Sequence, residues 1–250
     1  MGKNFSGITV RCLGTNGWYD SKTGNTICLL IETPNEYILL DAGNGLYKAD
    51  QFIKTAKPVY LFLSHFHLDH VEGLHTLAKF RFKGGLTIVV PPRGKKLFQT
   101  LVRQPFTLPI AELKMPTKLT DQADQPFVAE RLLLRHVTPC WGLRLNLGGN
   151  IVSYIPDTGE CENAYRLAQD ADLVLSECAF APGMVNPEWE HLNPGVAAKI
   201  AKHSGAKKLV LVHFDAEVYN SLAKRQKAQV AARKTFKNSF VAFDDQKIEL

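Results

Sequence analysis

The stretch SHFHLDH at residues 64–70 places three histidines and one aspartate within six positions. It follows the run VYLFL at 59–63, which is apolar and aromatic and has the length of a buried strand. A loop that leaves a strand is positioned by a rigid scaffold, and imidazole and carboxylate groups suit borderline divalent metals. Because neighbours in a tight loop point in different directions, two adjacent metals can use these side chains more readily than one. The stretch therefore predicts a two-metal site around His65, His67, Asp69 and His70.

Strand-like and helix-like patterns alternate along the rest of the chain. Apolar runs of strand length occupy residues 8–13, 27–33, 37–40, 59–64, 86–90, 131–137, 143–147, 151–155, 173–176, 209–212 and 240–242. Helical spacing appears at 71–80, 94–103, 161–169, 194–204 and 217–236. Residues 34–35 and 148–150 resemble hairpin turns, while 105–126 has weak periodicity and is predicted to be a loop or small insertion. The alternation predicts an α/β layered architecture with antiparallel pairs mixed into the sheets.

Length and composition favour a single domain spanning residues 1–250. The chain is 45% hydrophobic and has no interior linker rich in Gly, Pro or Ser. Residues 1–5, MGKNF, lack the apolar run of a signal peptide, and no later stretch approaches the roughly 18 consecutive apolar residues of a membrane helix. Five scattered cysteines without a Cys-x-x-Cys pair indicate reduced thiols, mostly buried. We therefore expect a soluble cytoplasmic protein that does not contact a membrane.

The chain has a net charge of +6, and much of its excess of basic over acidic residues lies near the end of the chain. These are Lys224, Arg225, Lys227, Arg233, Lys234 and Lys237. We favour their interpretation as the solvated face of a late helix. A docking surface for a polyanion is the alternative.

Three residues later in the chain are further candidates for metal ligands. His136 follows the strand run at 131–135, Asp157 lies after another strand in YIPDTG at 154–159, and His213 ends LVLVH at 209–213. With these residues the chain resembles the metallo-β-lactamase superfamily, whose signature is His-x-His-x-Asp-His, over nearly its whole length. The resemblance implies an α/β fold that is a four-layer αββα sandwich, with two mixed β-sheets flanked by helices.

Carried over residue by residue, the resemblance also implies two sets of metal ligands joined by a bridging carboxylate. They are His65, His67 and His136 for the first metal, Asp69, His70 and His213 for the second, and Asp157 between them. Asp41, in LLDAGN at 39–44, matches a family position that supports the ligand loop without binding metal. His75 and His203 lie on predicted helices and are not expected to be ligands.

Short motifs elsewhere resemble the ribonuclease Z-like phosphodiesterase branch of this superfamily. They are LGTNG at 13–17, GNTI at 24–27, DTGEC at 157–161 and SECAF at 176–180. His191 matches the branch's histidine that stabilises developing charge or protonates the leaving oxygen, a role that suits an imidazole near neutral pH. Asn193 stands where branch members often carry Thr. Glu177 is a candidate for orienting His191, and both residues join Asp69 in the expected catalytic set.

The interval between His136 and Asp157 bears on the substrate. Ribonuclease Z enzymes insert a long arm there that grips transfer RNA, whereas this chain has only a hairpin.

Two divalent ions close together lower the pKa of a bridging water toward ~7 and polarise a phosphoryl or acyl oxygen, so hydrolysis is the expected reaction. The favoured substrate is a small or cyclic phosphodiester or one derived from nucleic acid. Zinc is the expected metal, with manganese and iron as alternatives.

Other functions stay open because one fold serves many reactions. An acyl, thioester or lactone hydrolase would use the same ligands and an apolar pocket, with candidate lining residues Trp18, Tyr19, Phe106 and Trp141. A tRNA 3'-processing endonuclease is disfavoured by the missing arm. A non-hydrolytic metal-binding or redox protein is disfavoured by the lack of a flavodoxin-like partner domain. A homodimer is an open alternative to a monomer.

Overall fold

The computed structural model describes residues 7–250, so residues 1–5, where the sequence lacks a signal-peptide run, lie outside the described part. The strands are β1 (Thr9–Gly14), β2 (Asn16–Gly17), β3 (Cys28–Glu32), β4 (Tyr37–Leu40), β5 (Val59–Phe62), β6 (Leu86–Val89), β7 (Thr117–Thr120), β8 (Val128–Leu133), β9 (Trp141–Leu147), β10 (Asn150–Ile155), β11 (Leu173–Glu177), β12 (Leu209–Val212), β13 (Phe214–Asp215), β14 (Ser239–Val241) and β15 (Lys247–Glu249). The α-helices are α1 (Leu68–Val71), α2 (Lys95–Leu101), α3 (Glu162–Ala168), α4 (Pro194–His203) and α5 (Leu222–Arg233). Short 3₁₀ helices cover Asn44–Gln51, Glu72–Lys79 and Ile110–Glu112.

Two mixed sheets carry the fold. The first has the strand order β15-β1-β3-β4-β5-β6-β7, and the second has the order β14-β12-β11-β10-β9-β8. In the first sheet β15, β1, β3 and β4 pair antiparallel, and β4 to β7 run parallel. In the second sheet β8, β9 and β10 pair antiparallel, and β10, β11, β12 and β14 run parallel. Turns at 33–36 and 148–149 join antiparallel neighbours, as the sequence predicts.

A central core lies between the two sheets, and helices cover both outer faces. Val10 of the first sheet and Leu145 of the second belong to the same buried cluster. A second cluster joins the first sheet to its flanking helices, with Leu74 and Phe98 as members. A third cluster joins the second sheet to α3, α4 and α5. The predicted four-layer αββα sandwich is therefore confirmed, and burial on both faces explains the apolar runs at residues 173–175 of β11 and 209–212 of β12.

Edge elements differ most from the sequence prediction. The run predicted at 131–137 is β8 at Val128–Leu133, so His136 lies in the loop beyond the strand. Residues 105–126, predicted to be a loop, contain a 3₁₀ turn and β7. The strands β7 and β8 lie at sheet edges and are half-exposed, so their alternation of apolar residues is weak.

The helix predicted at 217–236 begins at Leu222, because the Asp215 side chain accepts from two backbone N–H groups and forms a turn first.

Five of the six basic residues near the end of the chain are exposed, which agrees with their interpretation as a solvated face: Lys224, Lys227, Arg233, Lys234 and Lys237. Arg225 is the exception, because its side chain is fully buried. Its guanidinium donates to the Thr15 hydroxyl at 2.7 Å and to the Asn16 side-chain oxygen, and it lies over the Phe214 ring at 4.5 Å. These contacts tie α5 to β2 and β13. A buried arginine requires such partners, and sequence periodicity alone does not reveal them.

Two sequence expectations concern the chain as a whole. Within residues 7–250, no helix has both the length and the apolar character needed to cross a bilayer. All five cysteines carry free thiols, and four of them are buried, which agrees with the expectation of reduced and mostly buried thiols.

Candidate metal centre

The predicted ligands, and Asp41 beside them, lie just after strands, most of them at the carboxyl ends of parallel strands. Asp41 follows β4, residues 64–70 follow β5, Asp157 follows β10, and His213 follows β12. His136 comes from the loop between β8 and β9. Binding sites of α/β sheets form at this edge because several strand ends converge there.

Asp157 lies at the centre of the cluster, with each of its oxygens facing a different set of histidines. Its Oδ2 is 3.7 Å from His65 Nε2 and 3.8 Å from His136 Nε2. Its Oδ1 is 3.2 Å from His70 Nε2 and 3.3 Å from His213 Nε2. This arrangement matches the bridging position that the resemblance implies for Asp157.

The remaining predicted ligands complete two groups around this carboxylate. His67 Nδ1 lies 3.3 Å from His136 Nε2, and Asp69 Oδ2 lies 3.2 Å from His213 Nε2. In each of two groups, potential ligand atoms lie within 4.8 Å of one another. The groups are His65, His67, His136 and Asp157, and Asp69, His70 and His213. The structure thus brings all seven predicted residues together, and a third group of potential ligand atoms joins Asp157 and His213 with His191.

The donor atoms fit divalent cations. Within residues 7–250, His65 Nε2 and Asp157 Oδ1 are buried without a hydrogen-bond partner. The Nε2 atoms of His70 and His213 lie 3.0 Å apart, and His70 Nδ1 is committed to Asp41. Converging lone pairs and unsatisfied buried acceptors are costly unless a cation lies among them. Imidazole nitrogens with carboxylate oxygens form a donor set that suits zinc, iron or manganese.

Contacts on the outer side of the cluster fix the histidine orientations. His70 Nδ1–H donates to Asp41 Oδ2 at 2.8 Å, and His65 Nδ1–H donates to Ser64 Oγ at 3.0 Å. His136 Nδ1–H donates to the Glu190 carbonyl at 3.2 Å. In all three residues the Nε2 atom is left to face Asp157. Outer partners of this kind hold metal-binding histidines in one tautomer and one orientation.

Burial and neighbouring charges set protonation states that suit metal binding. Burial lowers the pKa of His65 well below its usual range, and it also lowers the pKa of His67 and of His136. Burial acts to raise the pKa of Asp157, but His213 and His70 outweigh it and hold that pKa well below its usual range. Neutral imidazoles at these three histidines beside an ionised Asp157 are the forms that bind a divalent cation. At His70, by contrast, burial acts to lower the pKa, but Asp157, Asp41 and Asp69 outweigh it and raise that pKa well above its usual range.

His191 lies beside the cluster and contacts Glu177, as the sequence hypothesis requires. His191 Nδ1–H donates to Glu177 Oε1 at 2.9 Å, and His191 Nε2 lies 4.0 Å from Asp157 Oδ2. Burial acts to lower the pKa of His191, but the Glu177 carboxylate outweighs it and raises the pKa to about 9. Asn193 caps α4 by accepting from Gly195 N and Val196 N.

Other histidines and aromatic residues have distinct positions. His75 and His203 are exposed, and their Nδ1–H groups donate to local backbone carbonyls outside the cluster.

Of the aromatic residues predicted to line an apolar pocket, Trp18 lies at the site, because its backbone N donates to Asp69 Oδ2 at 2.6 Å. Phe106 instead lines a separate cleft beside His75. The guanidinium of Arg131 lies 5.5 Å from the ring centroid of Trp141.

Two residues of the site escaped sequence reasoning. A Cβ atom on Gly17 would lie 2.5 Å from His213 Cε1, so a larger residue there would require the His213 ring to move. Trp189 stacks on the His67 ring, with centroids 5.6 Å apart and planes 9° apart. The LGTNG motif could have indicated Gly17, because a glycine beside a strand often marks close approach. No sequence signal singled out Trp189.

Comparison with known proteins links the fold to one superfamily. A family model described as Beta-lactamase superfamily domain matches residues 36–214, more than two thirds of the chain. A probable metallo-hydrolase, YhfI of Bacillus subtilis, is 27% identical over 221 residues, covering 83% of this chain and 87% of the relative. Ribonuclease Z of Methanosarcina acetivorans is 25% identical over 304 aligned positions, covering 97% and 98%. Because 304 positions exceed this chain's 250 residues, that relative carries segments that the chain lacks.

Solved structures share the whole fold. The crystal structure of Bacillus subtilis YhfI has a TM-score of 0.78 at 24% identity and covers 97% of this chain and 99% of its own. Human tRNase Z, short form, has a TM-score of 0.73 at 21% identity, with coverage of 96% and 98%. At these identities the likeness establishes the fold alone.

Proposed function

The chain belongs to the beta-lactamase superfamily of metallo-hydrolases, and on that premise we propose that it is a metal-dependent phosphodiesterase. Its proposed substrate is a small or cyclic phosphodiester or one derived from nucleic acid. The relatives that carry the name ribonuclease Z support this bond class, because a ribonuclease cleaves a phosphodiester. The donor groups around Asp157 support a two-metal centre.

We assign the seven clustered residues as the ligands of two divalent ions, with zinc as the expected metal. His65, His67 and His136 would hold one ion, Asp69, His70 and His213 the other, and Asp157 would contact both. Bound divalent ions supply Lewis-acid stabilisation of the charge that develops on a phosphoryl group and lower the pKa of water.

The observation that carries the phosphodiester assignment is the His191–Glu177 pair. The carboxylate holds the imidazole by its Nδ1–H, and the Nε2 atom faces the Asp157 side of the site. An alkoxide leaving group needs a proton, whereas a thiolate leaves without one. A protonated His191 therefore suits cleavage of a P–O bond, or of the C–O bond of a lactone, by donating its Nε2 proton to the leaving oxygen, and it argues against a thioester. Between the two oxygen leaving groups, the relatives named ribonuclease Z favour the phosphodiester.

The length of the β9–β10 connection supports a compact substrate. These strands form a hairpin whose turn is Gly148-Gly149, and both glycines have positive φ. The long arm expected of enzymes that process transfer RNA would occupy the interval from His136 to Asp157. A hairpin with a two-residue turn gives transfer RNA no comparable grip.

A direct test uses purified protein loaded in turn with zinc, manganese or iron. We expect hydrolysis of bis(p-nitrophenyl) phosphate that is abolished by chelation and restored when the metal is returned. Asp157→Asn should lose both activity and bound metal, because it weakens the carboxylate shared by both ligand groups. Surface variant Asp50→Asn, which changes only an exposed ion pair with Lys79, is the matched control.

The substrate panel separates the proposed function from its alternatives. Linear and cyclic phosphodiesters are assayed beside acyl-homoserine lactones and glutathione thioesters. Hydrolysis of lactones or thioesters with none of any phosphodiester would overturn the phosphodiesterase assignment. Cleavage of precursor transfer RNA in preference to small phosphodiesters would overturn the compact-substrate assignment.

A further inference from the structure

Trp189 covers one side of the candidate metal centre. Its ring lies parallel to the His67 imidazole, and it makes an edge contact with His136 at a centroid distance of 6.2 Å. The residue nevertheless keeps 49% of its surface exposed. One face of the indole is therefore used against a predicted ligand, while a large part of the ring is open at the mouth of the site.

The residues that follow Trp189 are held firmly. The Glu190 carboxylate pairs with Arg135 through two nitrogens, Nε at 2.8 Å and Nη2. The Glu190 carbonyl accepts from His136, His191 is held by Glu177, and the Leu192 carbonyl accepts from Phe180 N. The backbone next to the indole is thus anchored to the site, so a ligand that stacks on Trp189 meets a surface that is already ordered.

A second exposed tryptophan is joined to the other half of the site through its backbone. Trp18, whose backbone N–H is bonded to Asp69, is 60% exposed, and its ring centroid lies 5.2 Å from that of Tyr19. Exposed aromatic surfaces thus occur near both ligand groups, with Trp189 in contact through its ring and Trp18 through its backbone. Such surfaces bind planar groups by stacking without requiring a particular hydrogen-bond pattern.

We propose that the exposed face of Trp189 binds a planar aromatic group attached to the substrate phosphate, so that this site selects aromatic phosphate esters over alkyl ones. This inference rests on the proposed phosphodiesterase function and names its substrate class. A nucleobase or a simple aryl group could supply the aromatic plane. The indole would then lie between that plane and His67, one of the residues assigned to the metals.

The test measures binding without turnover. Thymidine 5'-monophosphate, phenyl phosphate and methyl phosphate are titrated calorimetrically into the metal-loaded protein and into Trp189→Leu, Trp189→Phe and Tyr47→Leu. The measured quantity is the Kd of methyl phosphate divided by the Kd of each aromatic ester. This ratio cancels any general weakening of phosphate binding that reaches the metal centre through His67. Tyr47 is an exposed aromatic residue outside the site and serves as the control.

For at least one aromatic ester, we expect Trp189→Leu to lower this ratio by about 5- to 150-fold, since stacking on a base is worth ~1–3 kcal/mol. Trp189→Phe should keep most of the preference, and Tyr47→Leu should keep all of it. A ratio that falls only for the nucleotide identifies a nucleobase, and an equal fall for phenyl phosphate identifies an aryl group. Ratios unchanged in Trp189→Leu, with fold and metal content intact, would overturn the inference. Failure to hydrolyse any phosphodiester would instead overturn the proposed function, because binding is measured independently.

Discussion

Glu177 and His191 form a buried pair in which a carboxylate oxygen lies 2.9 Å from the imidazole Nδ1 atom. The carboxylate is itself fixed, because Oε1 accepts from Thr158 N at 2.8 Å and Oε2 accepts from Ala179 N at 3.0 Å. Thr158 adjoins Asp157, so Glu177 positions both the histidine and the loop that carries the central carboxylate. This relationship links the proposed proton donor to the geometry of the cluster.

The first prediction concerns the role of His191 as a proton donor. His191→Ala should lower kcat by about 10²- to 10⁴-fold for a phosphodiester with an alkoxide leaving group, since general acid catalysis supplies that factor. The loss should be much smaller for p-nitrophenolate, which leaves without a proton. Both rates are measured with metal content determined alongside. Equal losses for both leaving groups together with lost metal would mean that His191 is a ligand instead.

A second prediction concerns Asp41, which accepts hydrogen bonds from Ser64 N at 2.7 Å, Ser64 Oγ at 2.8 Å, His70 Nδ1 at 2.8 Å and Tyr154 OH at 2.6 Å. Asp41→Asn should weaken metal affinity by about 10- to 100-fold, because an outer partner of a ligand histidine is impaired. Competition with a chromophoric chelator gives the affinity. The surface variant Asp50→Asn is the control, and equal affinities in both variants would contradict the prediction.

Gly17 gives a third prediction. An added Cβ would lie within 2.5–2.8 Å of three His213 ring atoms, so Gly17→Ala must displace that ring. We expect the protein to lose the ion held by Asp69, His70 and His213 while retaining the other. Metal analysis of the folded variant should then give one ion per chain where the wild type gives two. Retention of both ions would show that the ring can shift without loss of binding.

The fourth prediction is a pH dependence of stability at Lys48. Its ammonium lies 3.1 Å from Asp244 and 3.0 Å from Asp245, and its side chain is 8% exposed. Burial acts to lower the pKa of Lys48, but hydrogen bonds and charges from these two aspartates outweigh it and raise the pKa. Because the folded pKa exceeds the unfolded one, the stabilisation is complete below the unfolded pKa and is lost as the pH rises through the folded pKa.

Lys48→Met should therefore lower the free energy of unfolding by about 1.5–3 kcal/mol at pH 7, the value of hydrogen bonds to charged groups. The difference from wild type should shrink above about pH 10.5, where an ordinary lysine loses its proton. Urea unfolding across this pH range measures it. Lys207→Met removes an exposed pair with Asp172 and should have a smaller effect. A difference that stays constant with pH would contradict the assignment to charge.

The spacing of apolar residues along the sequence predicted strands and helices correctly where one or both faces of the element are buried. The central strands and the four-layer sandwich followed from apolar runs together with the family resemblance, and the structure confirms them. The sequence did not predict the edge strand β7, because a strand with one neighbour and half-exposed side chains shows little alternation of apolar and polar residues. Arg225 was misread for a related reason: a long polar side chain can be buried when partners from distant segments reach it.

The sequence by itself determined the superfamily and the seven residues to which we assign the metals, because four of them fall within six positions after a strand and the others follow strand-like runs in the family order. Only the tertiary structure decided which atoms face one another: the opposed oxygens of Asp157, the Glu177–His191 contact and the indole of Trp189 over His67. These contacts join loops from different strands. Their geometry depends on how two twisted sheets bring their strand ends to one edge, and spacing along the chain does not encode it.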